Sequence, residues 1–141
     1  MARTNPEETV RKMFAAWEHN DIDGVVGALD PSYIAHSPFA GKIEGKEAAR
    51  KFFETFLNAF TDQELKILSI VTKGDTVAFE YKLTATFKGP LRTFQGTIPP
   101  TGRRIEFAAG EFFRVNSKGL ITEERPYYDS TSFLKQLNAK T

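Results

Sequence analysis

Hydrophobic positions along this chain fall into two periods, and the change between them divides it. From the N-terminus to about Phe60 the apolar residues recur at helical spacing; from Glu64 onward they alternate. Val10, Met13, Phe14 and Trp17 stand at i, i+3, i+4 and i+7, which predicts a helix from about Pro6 to His19 with one apolar stripe. Asn5 can cap it, and Pro6, Glu7 and Glu8 suit its first turn. A short second helix is capped by Asp21, carries Ile22, Val25, Val26 and Leu29, is weakened by Gly24 and Gly27, and ends at Asp30-Pro31. Tyr33 to Phe39 reads as a strand, followed by a loop through Gly41 and Gly45. Ala49, Phe52, Phe53, Phe56 and Phe60 then predict a third helix over Lys46 to Phe60.

The second period predicts strands. Leu65 to Thr72 leads through Lys73-Gly74-Asp75 into Thr76 to Lys88, where Val77, Phe79, Tyr81, Leu83, Ala85 and Phe87 share one face. Leu91 to Ile98, Arg104 to Val115 and Leu120 to Tyr128 follow, each separated by a Gly or Pro turn, and Thr131 to Asn138 closes as a short helix. Gly110, in the middle of one strand, suggests a bulge. The expected architecture is α+β: helices on one face of an antiparallel-rich sheet, with a closed end of core and an open end able to form a pocket. The 141 residues are the size of one domain and contain no repeat or linker, so residues 1–141 are read as a single unit.

Composition changes this picture mainly by exclusion. Nineteen basic and 18 acidic residues are interspersed, for a net charge of +1, which argues against nucleic-acid and membrane-surface partners. There is no cysteine, and the two histidines, His19 and His36, have no metal-ligand spacing. No metal or cofactor is expected; neither nucleotide-binding glycine motif is present. With no apolar leader or long apolar run, the chain is expected to be soluble and cytoplasmic. Thirteen phenylalanines can line a cavity as well as fill a core.

Candidate chemistry concentrates near the C-terminal end. Asp129 follows two tyrosines where a strand runs out. A carboxylate against aromatic rings can hold a proton near neutral pH, and the competing role is a cap on the last helix. His36 on the short strand is either a partner of that acid or a half-buried histidine bonded to backbone. Glu111 would share the apolar face of Ile105, Phe107, Ala109 and Phe113 if its strand ran straight; a bulge at Gly110 would turn it outward, and the bulge is the favoured expectation. Arg125 can pair with Glu123 or Glu80, or meet a substrate carboxylate or Asp129. Trp17, Tyr33, Phe53, Phe56, Phe113, Tyr127 and Tyr128 are candidate pocket walls.

Four segments carry a family resemblance: YIAHSPFAGKIEGKEAARKFFETF, VTKGDTVAFEYKLTATFKG, GTIPPTGRRIEF and FRVNSKGLITEERPYYDSTSFLKQLN. Together they resemble the SnoaL-like polyketide cyclase group of the nuclear-transport-factor-2-like superfamily. The resemblance implies a conical α+β barrel of a strongly bent sheet covered by three N-terminal helices, a deep apolar pocket, and a homodimer formed through the sheet. It implies cofactor-independent acid/base chemistry on a small apolar carbonyl compound, an aldol cyclisation or related isomerisation, with Asp129 as the acid/base residue. A non-catalytic binder of hydrophobic molecules and a protein-association module are the alternatives on the same scaffold. Many relatives read E-H-W where this chain has Glu123-Glu124-Arg125, so a pocket histidine is absent at position 124.

Overall fold

The computed structural model describes residues 5–38, 40–93 and 96–138. Three helices and two strands of the main sheet come first along the chain, and the remaining strands follow where the period changes. Helix α1 spans Pro6–Glu18. Its Asn5 side chain accepts from the Glu7 and Glu8 amides at 3.1 and 3.3 Å, and its buried stripe is Val10, Met13 and Phe14. Helix α2 spans Ile22–Gly27, and the Asp21 carboxylate accepts from the Gly24 amide. Gly24 is there for closeness rather than flexibility: a Cβ at that position would come within 2.5 Å of Asp21 Oδ2 and 2.9 Å of the Ala16 Cβ.

Strand β1 spans Leu29–Ser37, β2 Gly41–Glu44, and helix α3 Gly45–Ala59; β3 spans Phe60–Lys73 and β4 Thr76–Phe87. The short β5 (Leu91–Thr93) and β6 (Gly96–Ile98) form a separate hairpin, β7 runs Arg104–Val115, β8 Ile121–Tyr127, and helix α4 closes with Ser130–Leu137. The main sheet has the order β2-β1-β8-β7-β4-β3. All its pairs are antiparallel except β1–β8, which brings the N-terminal third against the last strand in parallel.

Sequence and structure differ where short-range signals are weak. β1 begins before Pro31, since a proline is tolerated where its missing N–H leaves no ladder bond unmade. Phe39, expected to end that strand, lies outside the described residues. The loop after it contains β2, whose four residues are too few for a period to show. Leu91 to Ile98 is not one strand: Leu91 pairs with Ile98 and Thr93 with Gly96, and residues 94 and 95 lie outside the described part. No bulge forms at Gly110, which pairs with Glu80 in an unbroken β4–β7 register from Thr76–Arg114 to Thr86–Arg104.

Helices α1 and α3 cover the buried face of the sheet. Phe14 stacks on Phe79 at 4.4 Å between ring centres and meets Phe113 edge-on at 5.8 Å. A second apolar cluster joins Phe60, Phe87 and Leu91 to Phe133 and Leu137 of α4. The two clusters share the partly buried Phe107 and Tyr128, and the space around these rings is where the fold leaves room.

Candidate active site

The strict alternation of β7 puts Ile105, Ala109, Glu111, Phe113 and Val115 on the buried face. β8 turns Glu124 the same way. Glu111 lies opposite Pro126 and Phe113 opposite Glu124, so the two glutamates are diagonal neighbours across β7 and β8. Both are sealed from solvent, at 5% and 8% exposure, a burial that ionised carboxylates seldom bear unpaired.

Two tyrosines complete the row. The Tyr81 hydroxyl on β4 donates to Glu111 Oε2 at 2.5 Å, and the Tyr33 hydroxyl on β1 donates to Glu124 Oε1 at 2.6 Å. Tyr33, Glu124, Glu111 and Tyr81 thus form one polar line across four adjacent strands, embedded in apolar side chains. Glu111 Oε1 is buried with no hydrogen-bond partner among the described residues. Burial pushes the Glu111 carboxyl well above the usual carboxylate range, and the neighbouring Glu124 adds to the effect. Glu111 is therefore the carboxyl of the site that its surroundings dispose to hold a proton. Burial raises both tyrosine hydroxyls well above their ordinary value, so they remain donors.

A cavity of about 130 Å³ opens beside this line. Its walls are mostly rings: Trp17 from α1, Phe52, Phe53 and Phe56 from α3, Phe107 from β7, and Phe133 from α4. Trp17 meets Phe53 edge-on at 5.6 Å, and Phe107 meets Tyr128 at 4.7 Å, so the walls hold one another. The polar lining is Ser37, Gln63, Tyr81, Glu111, Glu124 and Tyr128, and among the described residues no lysine, arginine or histidine reaches it. Burial pushes the Tyr128 hydroxyl up to about 12 despite a hydrogen bond with Ser37. No cluster of His, Asp or Glu suited to hold a metal ion occurs among the described residues.

The structure sorts the sequence candidates. Trp17, Phe53, Phe56, Tyr128 and Glu111 line the cavity. Glu111 does so because its strand runs straight, against the expected bulge. Tyr33 stands behind Glu124 as its donor, and Phe113 is plain core at 1% exposure. Asp129 is not in the cavity wall; it is exposed and caps α4, accepting from the Ser132 amide at 3.1 Å. The strand ends at Tyr127, and its alternation would in any case put Asp129 on the outer face with Arg125 and Tyr127. His36 is exposed on β1 with Nε2 3.9 Å from Glu123, so its neighbouring acid is Glu123 rather than Asp129. Tyr127 lies outside at 58% exposure, where it meets Phe112 edge-on. Arg125 donates to Glu123 at 2.5 Å and lies over the Phe112 ring, on the outer face. Two site residues escape a reading of the sequence. Glu124 is visible there only as the residue replacing a relative's histidine, and Gln63 carries no signal.

Comparison with known proteins agrees with this fold. The family model described as the SnoaL-like domain matches residues 10–124. Among solved structures, AclR of Streptomyces galilaeus, a candidate hydroxylase, is 27% identical with a TM-score of 0.78 over 94% of this chain and 80% of its own. A candidate SnoaL-like polyketide cyclase from Jannaschia sp. CCS1 is 21% identical with a TM-score of 0.80, covering 100% of this chain and 99% of the other. An epoxide hydrolase of the LEH-like type from M. tuberculosis is 21% identical with a TM-score of 0.71, over 94% and 88%. The architecture is the cone shared by these nuclear-transport-factor-2-like folds. No curated protein matches the chain. Among the described residues no helix is long and apolar enough to cross a membrane.

Proposed function

The chain belongs to the SnoaL-like domain family, and from that premise we propose that it is an acid/base enzyme acting on a small, largely apolar carbonyl compound bound in the ring-lined cavity. One observation carries the reading: two buried glutamates, diagonal neighbours on β7 and β8, stand at the wall of an apolar hollow that no lysine, arginine or histidine lines among the described residues, and burial pushes the Glu111 carboxyl well above the usual range. An acid and a base side by side are what a proton shuttle needs, and such catalysis contributes roughly 10²–10⁴-fold. The proton on Glu111 is the donor available to a carbonyl oxygen. Glu124, once released from it, is the acceptor for a proton on the adjacent carbon. Returning that proton to a different carbon, while the enol O–H gives its proton back to Glu111 as the carbonyl re-forms, completes an isomerisation. Passing it instead to the oxygen of a second carbonyl as the enol carbon attacks that carbonyl, with the enol O–H proton again returning to Glu111, completes an aldol closure, the reaction type of a polyketide cyclase. The chemistry uses only this chain's side chains and is cofactor-independent.

Hydrogen exchange tests the reading. Cyclic and aryl ketones that raise the melting temperature are incubated in D2O, and deuterium at the carbon next to the carbonyl is followed by NMR. The wild type accelerates incorporation; Glu111→Gln and Glu124→Gln bind but do not. Ketones that bind in the wild type, lose binding in the cavity-filling Leu83→Trp variant, and exchange no faster than in buffer would mark a binder of hydrophobic molecules instead. Pairing of two copies through the outer face of the sheet, where Phe112 and Tyr127 stand exposed, belongs to the same proposal and is read by sedimentation.

A further inference from the structure

Gln63 is the polar residue of the cavity that the acid/base reading leaves without a task. It is 8% exposed, lines the cavity, and sits at an irregular point of β3. Between the pairs Thr61–Thr86 and Glu64–Thr84 the register shifts, so that Asp62 and Gln63 together oppose Ala85 alone. Asp62 takes φ +52, and the Arg104 guanidinium holds the kink by donating to the Asp62 carbonyl at 2.6 Å and to the hydroxyls of Thr86 and Thr84. The bulge turns Gln63 onto the buried face beside Ala85.

The orientation of the Gln63 amide follows from its neighbours. Asn20 donates its Nδ2 to the Leu57 carbonyl at 3.1 Å, and a backbone carbonyl can only accept. Asn20 therefore offers Oδ1 to Gln63, and Gln63 answers with Nε2 at 2.8 Å. That fixes Gln63 Oε1 as the free end of its amide. Oε1 has no partner among the described residues. It is also not sealed in, since among those residues the sole buried side-chain oxygen sealed without a partner belongs to Glu111. Gln63 lines an otherwise largely apolar chamber, where an acceptor without a partner is costly to leave unmet.

We propose that Gln63 Oε1 is a specificity-determining acceptor that selects a neutral ligand carrying a hydroxyl, or an N–H, at a distance from its reacting carbonyl. Along β4 Ala85 stands three same-face positions from Phe79, the residue opposite Glu111, so the acceptor and the acid belong to different ends of the cavity. The ligand's two polar ends are therefore separated by an apolar body. The carbonyl end rests on the acid/base reading; the hydroxyl end stands on Gln63 alone.

The test uses 1-tetralone, its 5-, 6- and 7-hydroxy derivatives, and the matching methyl ethers, with affinities measured by calorimetry on the intact protein. At least one hydroxytetralone binds the wild type about tenfold tighter than 1-tetralone, the value of one well-made buried hydrogen bond. Its methyl ether gains nothing, because it has no proton to donate. Gln63→Met erases the difference between hydroxyl and parent. Asn20→Ala, in which the amide is free to turn and present its NH2, lets the methyl ether approach the hydroxyl compound. Equal affinity of all three classes for the wild type, a preference that survives Gln63→Met, or failure of every tetralone to bind would each overturn the proposal. Deuterium exchange of 1-tetralone by the wild type is followed in parallel. Exchange without hydroxyl preference sinks only the role of Gln63, and preference without exchange sinks only the acid/base reading.

Discussion

Glu111 and Glu124 lie diagonally across β7 and β8 on the buried side of the sheet, and no cation among the described residues lines the cavity they border. Two carboxyl groups in that setting cannot both ionise at little cost, so the pair retains a proton and carries it into the folded state. Most testable properties of the molecule follow from that retention.

Stability depends on pH in a direction set by the raised Glu111. The folded state binds a proton that the unfolded chain releases above its ordinary value of 4.5, so stability falls as pH rises from about there through the folded-state value. The slope is at most about 1.4 kcal/mol per pH unit for one proton. Urea midpoints between pH 5 and 9 check it: they decline in the wild type and are flatter in Glu111→Gln, whose amide has no proton to lose.

Tyr33→Phe keeps the ring and removes the donor to Glu124 Oε1. Leaving that buried oxygen unmet costs about 1–3 kcal/mol by denaturant unfolding. Ketone exchange slows, since the oxygen that Tyr33 holds is no longer positioned. An unchanged rate would mean that Tyr33 is packing only.

Asp129→Ala removes the cap on α4 and costs about 0.5–2 kcal/mol, while Asp129→Asn costs little. Neither changes ketone exchange. Loss of exchange in a folded Asp129→Asn protein would return the acid/base role to that residue.

Gly89→Ala tests the junction of α3 and β4. The added Cβ would fall 2.3 Å from the Asn58 carbonyl oxygen, which is backbone and cannot step aside, while the Gly89 amide is held on Ala59. The expected loss is about 1–3 kcal/mol, read as a lower melting temperature.

These outcomes also separate what is legible in the sequence from what is not. The alternation of β4 and β7 names the buried face correctly, because a period of two sustained over a dozen residues fits a half-buried strand and not a helix. Applied consistently it also places Glu111 inside; trusting Gly110 to break the strand is the error. Asp129 misleads for the opposite reason. Its neighbours in sequence are aromatic, but side chains on a strand point to alternate faces, and Asp129 has the parity of the exposed Tyr127 and begins the cap of α4. Glu124 belongs to the site through its pairing with Tyr33, 91 residues away, a parallel contact between β1 and β8 that no local pattern announces. Gln63 is invisible because a bulge, not a period, decides where it points.

The polar line takes one residue from each of four strands whose backbones are already tied by their ladders. Any of the four side chains can therefore be exchanged without redrawing the frame beneath it. An evolving gene could change donor, acceptor or proton holder one codon at a time, each change felt by the neighbour bonded to it while the walls of the chamber stay put.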